Sequence, residues 1–101
     1  MIYVLNAYDI LPDKKSVYEQ YAAKASEHFA AVNAEVIAAG HNPVRNLAGQ
    51  ARAHFVVVGF PDIASFEALM DALSRDDLHQ LREEATTNYL WTIYEPWGFG
   101  E

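Results

Sequence analysis

No cysteine occurs in the 101 residues. Its absence removes disulfide staples, thiolate nucleophiles and cysteine-ligated zinc or iron–sulfur centres, and makes the cytoplasm the expected location. Basic residues are scarce as well: seven stand against 14 acids, for a formal net charge of −7. Nucleic acid and anionic membrane are therefore not expected as partners, because both are bound by a positive stripe that displaces counterions. No apolar run approaches the roughly 20 residues needed to span a bilayer, and the first residues show no charged stretch leading into an apolar one. The four histidines fall in no HxH, HxxxH or HxxE spacing, so no metal is expected. A GxSxG elbow and a phosphate-cradling glycine loop are also missing.

What is present is the material of one ordered domain spanning 1–101, with 51% hydrophobic residues against 21% charged. "IYVLNAYDI" (2–10) is β-branched and aromatic and ends at Leu11-Pro12-Asp13, which predicts a strand and a turn. "SVYEQYAAKASEHFAAVNAEVIAAG" (16–40) opens with Ser16 and Glu19 in capping-box spacing and closes on Gly40. Tyr18, Tyr21, Ala22, Ala25, Phe29, Val32 and Val36 recur there at three- and four-residue steps, so the stretch reads as one long amphipathic helix. "VRNLAGQARAHFVVVGF" (44–60) reads as a hairpin turning at Gly49-Gln50, with Phe55 to Phe60 as its stronger strand. Asp62 is the expected N-cap of a second helix with Ile63, Phe66, Leu69, Met70 and Leu73 as its buried stripe. Ser74 and Asp77 open a short third helix around Leu78, Leu81 and Ala85, ahead of a last strand within "ATTNYLWTIYEPW" (85–97). The order β, α, β, β, α, short α, β predicts an α+β fold of the ferredoxin-like, split βαβ kind, with a four-stranded antiparallel sheet and both crossover helices on one face.

The other face then needs a cover. Alternation along the strands sets Ile2, Val4, Asn6 and Tyr8 against Tyr3, Leu5 and Ala7, and His54, Val56, Val58 and Phe60 against Phe55, Val57 and Gly59. Large apolar groups lie on both faces, whereas a sheet with one wet face shows clean alternation. A second copy of the chain is the simplest cover, so a homodimer, or a higher assembly built of dimers, is expected.

The element order, the "FVVVGFPDIASFEALM" run and the late "NYLWTIYEPW" strand resemble the dimeric α+β barrel superfamily, most nearly its NIPSNAP-like and uncharacterised small-domain members. That resemblance implies two sheets paired into a barrel, with a cavity between sheet and helices. Superfamily members include cofactor-free oxygenases, decarboxylases, isomerases and cyclases of aromatic compounds, haem binders and proteins without assigned activity, so fold alone does not choose among them.

The residues narrow the choice. His54, beginning its strand on the face of Val56 and Val58, is a candidate general base, since an imidazole among apolar neighbours titrates near operating pH. A strand-end histidine bonded to backbone or water is its plainer reading. His28, close in angle to Tyr21 on the long helix, is a second candidate. Asn6 and Tyr8 stand where a pocket floor could offer hydrogen bonds to a substrate oxygen, and Tyr21 borders the same space. Tyr89 and Trp91 could stack an aromatic substrate, or serve as core and interface aromatics. His79, Arg82 and Glu83, at three- and four-residue spacing, read as a surface ion-pair cluster. The resulting expectation is a homodimer that binds a small aromatic or polyketide-like molecule, as a cofactor-independent oxygenase, isomerase or cyclase. The alternative is a non-catalytic NIPSNAP-like binding or assembly module.

Overall fold

The computed structural model describes residues 1–99. Strand β1 (Ile2–Ile10) lies at the centre of a four-stranded sheet of order β2-β3-β1-β4, flanked by β3 (His54–Phe60) and β4 (Thr86–Tyr94), with β2 (Glu35–His41) outside β3. All pairings are antiparallel. Helices α1 (Lys15–Glu27), α2 (Ile63–Arg75) and α3 (Leu78–Ala85) supply Ala25, Leu69, Leu73 and Leu78 to one core with Val4, Val58 and Phe60 of the sheet. The helices thus share one face of the sheet, and the chain has the α+β ferredoxin-like fold.

The alternation holds in the register. Val4 sits opposite Val58 on one side and Ile93 on the other, and Asn6 lies between Val56 and Trp91. Cross-strand partners project to the same face, so the Val4, Asn6, Tyr8 row and its neighbours meet the helices. The Tyr3, Leu5, Ala7 row faces away. There Tyr3, Leu5, Ile37, Val57 and Tyr94 line an open apolar groove, with Phe55 and Leu90 exposed beside them.

Two boundaries differ from the sequence reading. The helix expected over 16–40 stops at Glu27, and Asn33 takes the left-handed conformation at φ 56° before the chain enters β2. Asparagine is among the few residues that visit this region readily. The segment from Glu35 on therefore pairs with β3 instead of extending the helix. The hairpin placed over 44–60 is accordingly β2 and β3 joined by the long connection 42–53. Gly40 is no helix terminator. It lies opposite Phe55, and a Cβ there would stand 2.4 Å from that ring, so the absence of a side chain is what lets the ring lie over the neighbouring strand.

The caps are divided in the same way. Asp62 Oδ1 accepts from the Ser65 amide at 2.8 Å, as an N-cap should. Ser16 lies inside α1, which is entered through a 3₁₀ turn at Pro12–Lys14, and Ser74 lies inside α2.

β4 carries one extra residue relative to β1. Ala7 pairs with Leu90 and Asp9 with Thr87, leaving Asn88 as a bulge at φ 54°. Its side chain donates to Asp9 Oδ2 at 2.9 Å, and its carbonyl accepts from Arg52 Nε at 3.0 Å. Asp9 Oδ1 takes the Ala53 amide at 2.7 Å. These bonds hold the Asp9 carboxyl below its usual pKa and tie the end of the long connection to the sheet.

Candidate functional site

Between α1 and the sheet lies a partly open cavity of about 180 Å³. Its polar rim is Asn6, Tyr8, Tyr18, Tyr21 and Tyr89, over an apolar floor that includes Ala22, Ala25, Phe29, Val56 and Val58. Strand alternation delivers Asn6, Tyr8 and Tyr89, and the helical repeat at 18, 21, 22, 25 delivers the facing wall. A smaller pocket of about 50 Å³ continues it towards Phe66 and Trp91. No acid, lysine, arginine or histidine stands among the lining residues described for either space.

The hydrogen bonds of the rim follow a definite count. Tyr89 donates its O–H to Asn6 Oδ1 at 2.8 Å. The Asn6 amide donates to the Val56 carbonyl at 3.3 Å and leans towards Val4 O at 3.5 Å. The Tyr8 and Tyr18 hydroxyls bond to each other. Two hydroxyls hold two protons, and one suffices for the bond between them. One O–H of this pair is left to donate elsewhere.

All four phenols are held protonated, with their pKa values raised above the ordinary tyrosine value. For Tyr8 and Tyr18 burial is the main cause; the bond to Tyr18 works against it at Tyr8, whereas the bond to Tyr8 adds to it at Tyr18. For Tyr21 and Tyr89 burial again leads, opposed by the positive charge of Arg82. The rim is therefore a set of neutral donors at physiological pH.

Asn6, Tyr8, Tyr21 and Tyr89 come together on this rim, and Trp91 borders the inner pocket. His54 lies outside this cavity. Its ring stacks on Tyr8 at 5.6 Å and on His41 at 5.9 Å, in an open groove of about 260 Å³ for which Tyr8 is the shared wall. Burial lowers its pKa, the His41 charge lowers it further, and Asp9 works the other way. The His54 imidazole is thus kept in its neutral, proton-accepting form. His28 is turned elsewhere: α1 ends one residue before it, and its Nε2 meets Asp76 Oδ2 at 2.8 Å at the far end of α2.

Two contributors were not singled out from sequence. Tyr18 sits on the apolar stripe of α1 and had no assigned role. Arg82, read as part of a surface cluster, is only 8% exposed. Its guanidinium lies 4.5 Å from the Trp91 ring centre and 5.3 Å from that of Tyr89. The signal was available, since Arg82 falls between Leu78 and Ala85 on the stripe that α3 buries completely.

A ferredoxin-like domain with a phenol-lined pocket under its first helix is the class that this geometry defines. Residues 2–95 match the family described as Domain of unknown function (DUF1330), and the chain belongs to that family. No functionally curated protein shows significant similarity to it. Among solved structures it is similar to the RPA0582 protein of Rhodopseudomonas palustris, of unknown function, at 16% identity over 95% of this chain and 82% of that one, with a TM-score of 0.78. An uncharacterized NIPSNAP domain protein from Burkholderia xenovorans follows at 14% identity, 100% and 99% coverage and a TM-score of 0.66. A dimeric protein of unknown function and ferredoxin-like fold from Bacteroides fragilis aligns at 11% identity, 94% and 95% coverage and a TM-score of 0.62. The resemblance read from the strand, Pro-Asp and helix run holds at the level of fold. At these identities the likeness carries the fold and nothing finer.

Proposed function

We propose that the protein is a homodimer binding a compact, oxygen-bearing ring in the cavity between α1 and the sheet, and that it moves a proton on that ring without a cofactor. The observation that carries the reading is the donor rim: neutral phenols with O–H groups to spare, around an apolar floor. Such donors stabilise the oxygen of an enol or phenol as charge develops on it. A cavity of about 150 Å³ takes benzene, so the 180 Å³ here favours a single substituted ring over a fused polyketide skeleton. His54, neutral and stacked on the far side of Tyr8, is the base within nearest reach, for a substrate whose reactive carbon projects past Tyr8 into the open groove. It would take a proton from that carbon while the rim holds the enolate oxygen, and return it at another atom, which is isomerase chemistry. The dimer rests on the bare apolar sheet face and on the dimeric fold relative.

Calorimetry against a panel of hydroxylated single-ring aromatics and cyclic 1,3-diketones tests the binding. At least one should bind, and Ala22→Phe, which fills the cavity from α1, should weaken it about 100-fold, or about 2.7 kcal/mol. Binding undisturbed by Ala22→Phe would place the ligand elsewhere. Deuterium exchange at the acidic C–H of a bound diketone, followed by NMR, tests the chemistry without knowledge of the product. His54→Gln should slow it by about 10² to 10⁴. A ligand that binds but exchanges no faster than in buffer would leave the binding-module reading in its place.

A further inference from the structure

We infer that the cavity favours the oxyanion of its ligand, a phenolate bound as such or the enolate formed as the proton leaves carbon, with Arg82 as the positioning charge behind the tyrosine wall. The inference rests on the ring-binding reading above and adds the charge state of the ligand and the residue that sets it.

Arg82 is a buried cation with little to balance it. On its own helix, Nη1 donates to His79 Nδ1 at 3.0 Å, while His79 Nε2 faces the Met70 carbonyl of α2 at 3.3 Å. A guanidinium only donates and a carbonyl only accepts, so both contacts are satisfied by the neutral imidazole with its proton on Nε2. His79 then contributes no charge. Among the described residues the one carboxylate in contact is Glu83, at 3.5 Å from Nη2, and its side chain is 72% exposed. Water screens a partner so placed. From β4 the groups facing Arg82 are the rings of Trp91 and Tyr89, and from α1 it is Tyr21. Aromatic faces offset part of the cost of a buried cation but carry no charge of their own.

The positive charge is felt at the cavity. Tyr21 and Tyr89 line the cavity, and Arg82 makes both phenols more acidic than burial alone leaves them. The hydrogen-bond count points the same way. Asn6 Oδ1 already receives the Tyr89 proton, and the Asn6 amide is spent on backbone carbonyls. What the rim has left to give is an O–H from the Tyr8 and Tyr18 pair and that of Tyr21, whose oxygen can only accept from the Arg82 guanidinium. A site with spare donors, no acid among its described lining residues and a buried cation behind one wall stabilises a negative oxygen over a neutral hydroxyl. The chain as a whole carries −7 and repels anions, so this preference is local to the cavity.

The probe is 4-nitrophenol, which ionises near neutrality and whose phenolate absorbs in the visible. Titrating the bound probe should give an ionisation midpoint at least one pH unit below that of the free probe, with tighter binding above that midpoint than below it. Arg82→Met should return the midpoint to the free value or above it. Tyr21→Phe, which leaves the buried charge in place, should reduce the shift without abolishing it, and serves if Arg82→Met does not fold. A midpoint in the natural protein equal to or above that of the free probe overturns the inference while leaving the ring-binding site intact. Absence of binding, or binding that survives Ala22→Phe, overturns the site and the inference together.

Discussion

A Leu5→Glu chain should run in solution at half the mass of the natural protein. Leu5 is central on the face that the helices leave bare, between Val57 and Thr92, beside the groove formed by Tyr3, Ile37, Val57 and Tyr94. A two-fold axis brings each substitution into the interface twice. At about 2 kcal/mol for each desolvated carboxylate, two copies raise the dimer dissociation constant by roughly 10³. Sedimentation equilibrium checks the mass. Thermal melts give a second reading, because the melting temperature of a dimer depends on concentration and that of a monomer does not. An unchanged mass for Leu5→Glu would show that the chain does not pair through this face.

The largest loss of stability should come from Phe60→Ala. Phe60 is 2% exposed, opposite Ile2 at the sheet end, with its ring edge-on to Phe66 at 5.5 Å. Removing it leaves a cavity under α2 that a rigid sheet cannot close, at a cost of about 3–5 kcal/mol. For a domain of this size that is a fall of roughly 15–30 °C in melting temperature. Phe99→Ala, at a ring that is 82% exposed, should stay within about 0.5 kcal/mol. Urea melts of the two variants make the comparison, and equal midpoints would contradict the core described here.

Most of this architecture was legible because burial writes a period into the chain. β1, β3 and β4 show alternation, and the stripe of α2 behind Asp62 shows the helical repeat. Asn6, Tyr8 and Tyr89 could be placed on one face for the same reason. β2 was hidden because "AEVIAAG" is rich in alanine, and Val32 and Val36 fit a helical step as well as they fit anything. Pairing with β3 decided the matter, and pairing is not a local property. His28 was misplaced by the same extension, since its angle to Tyr21 means little once the helix has ended. At Arg82 two signals conflict: its position on the apolar stripe points inward, while its type points to the surface, since arginine is seldom buried without a paired acid. Its burial against two aromatic rings is a tertiary fact.

The bulge at Asn88 has a meaning for redesign. Without that residue, Thr87 would still face Asp9, Leu90 would still face Ala7, and Tyr89 would fall opposite Tyr8 with every side chain on its present face. Asn88 is thus a passenger in the pairing of β4, and its contribution is the mooring of the segment that ends at Arg52 and Ala53. That segment and its mooring form a separable module. Foreign loops could be spliced between β2 and β3, with or without Asn88, while the phase of the strand that builds the cavity wall stays as it is.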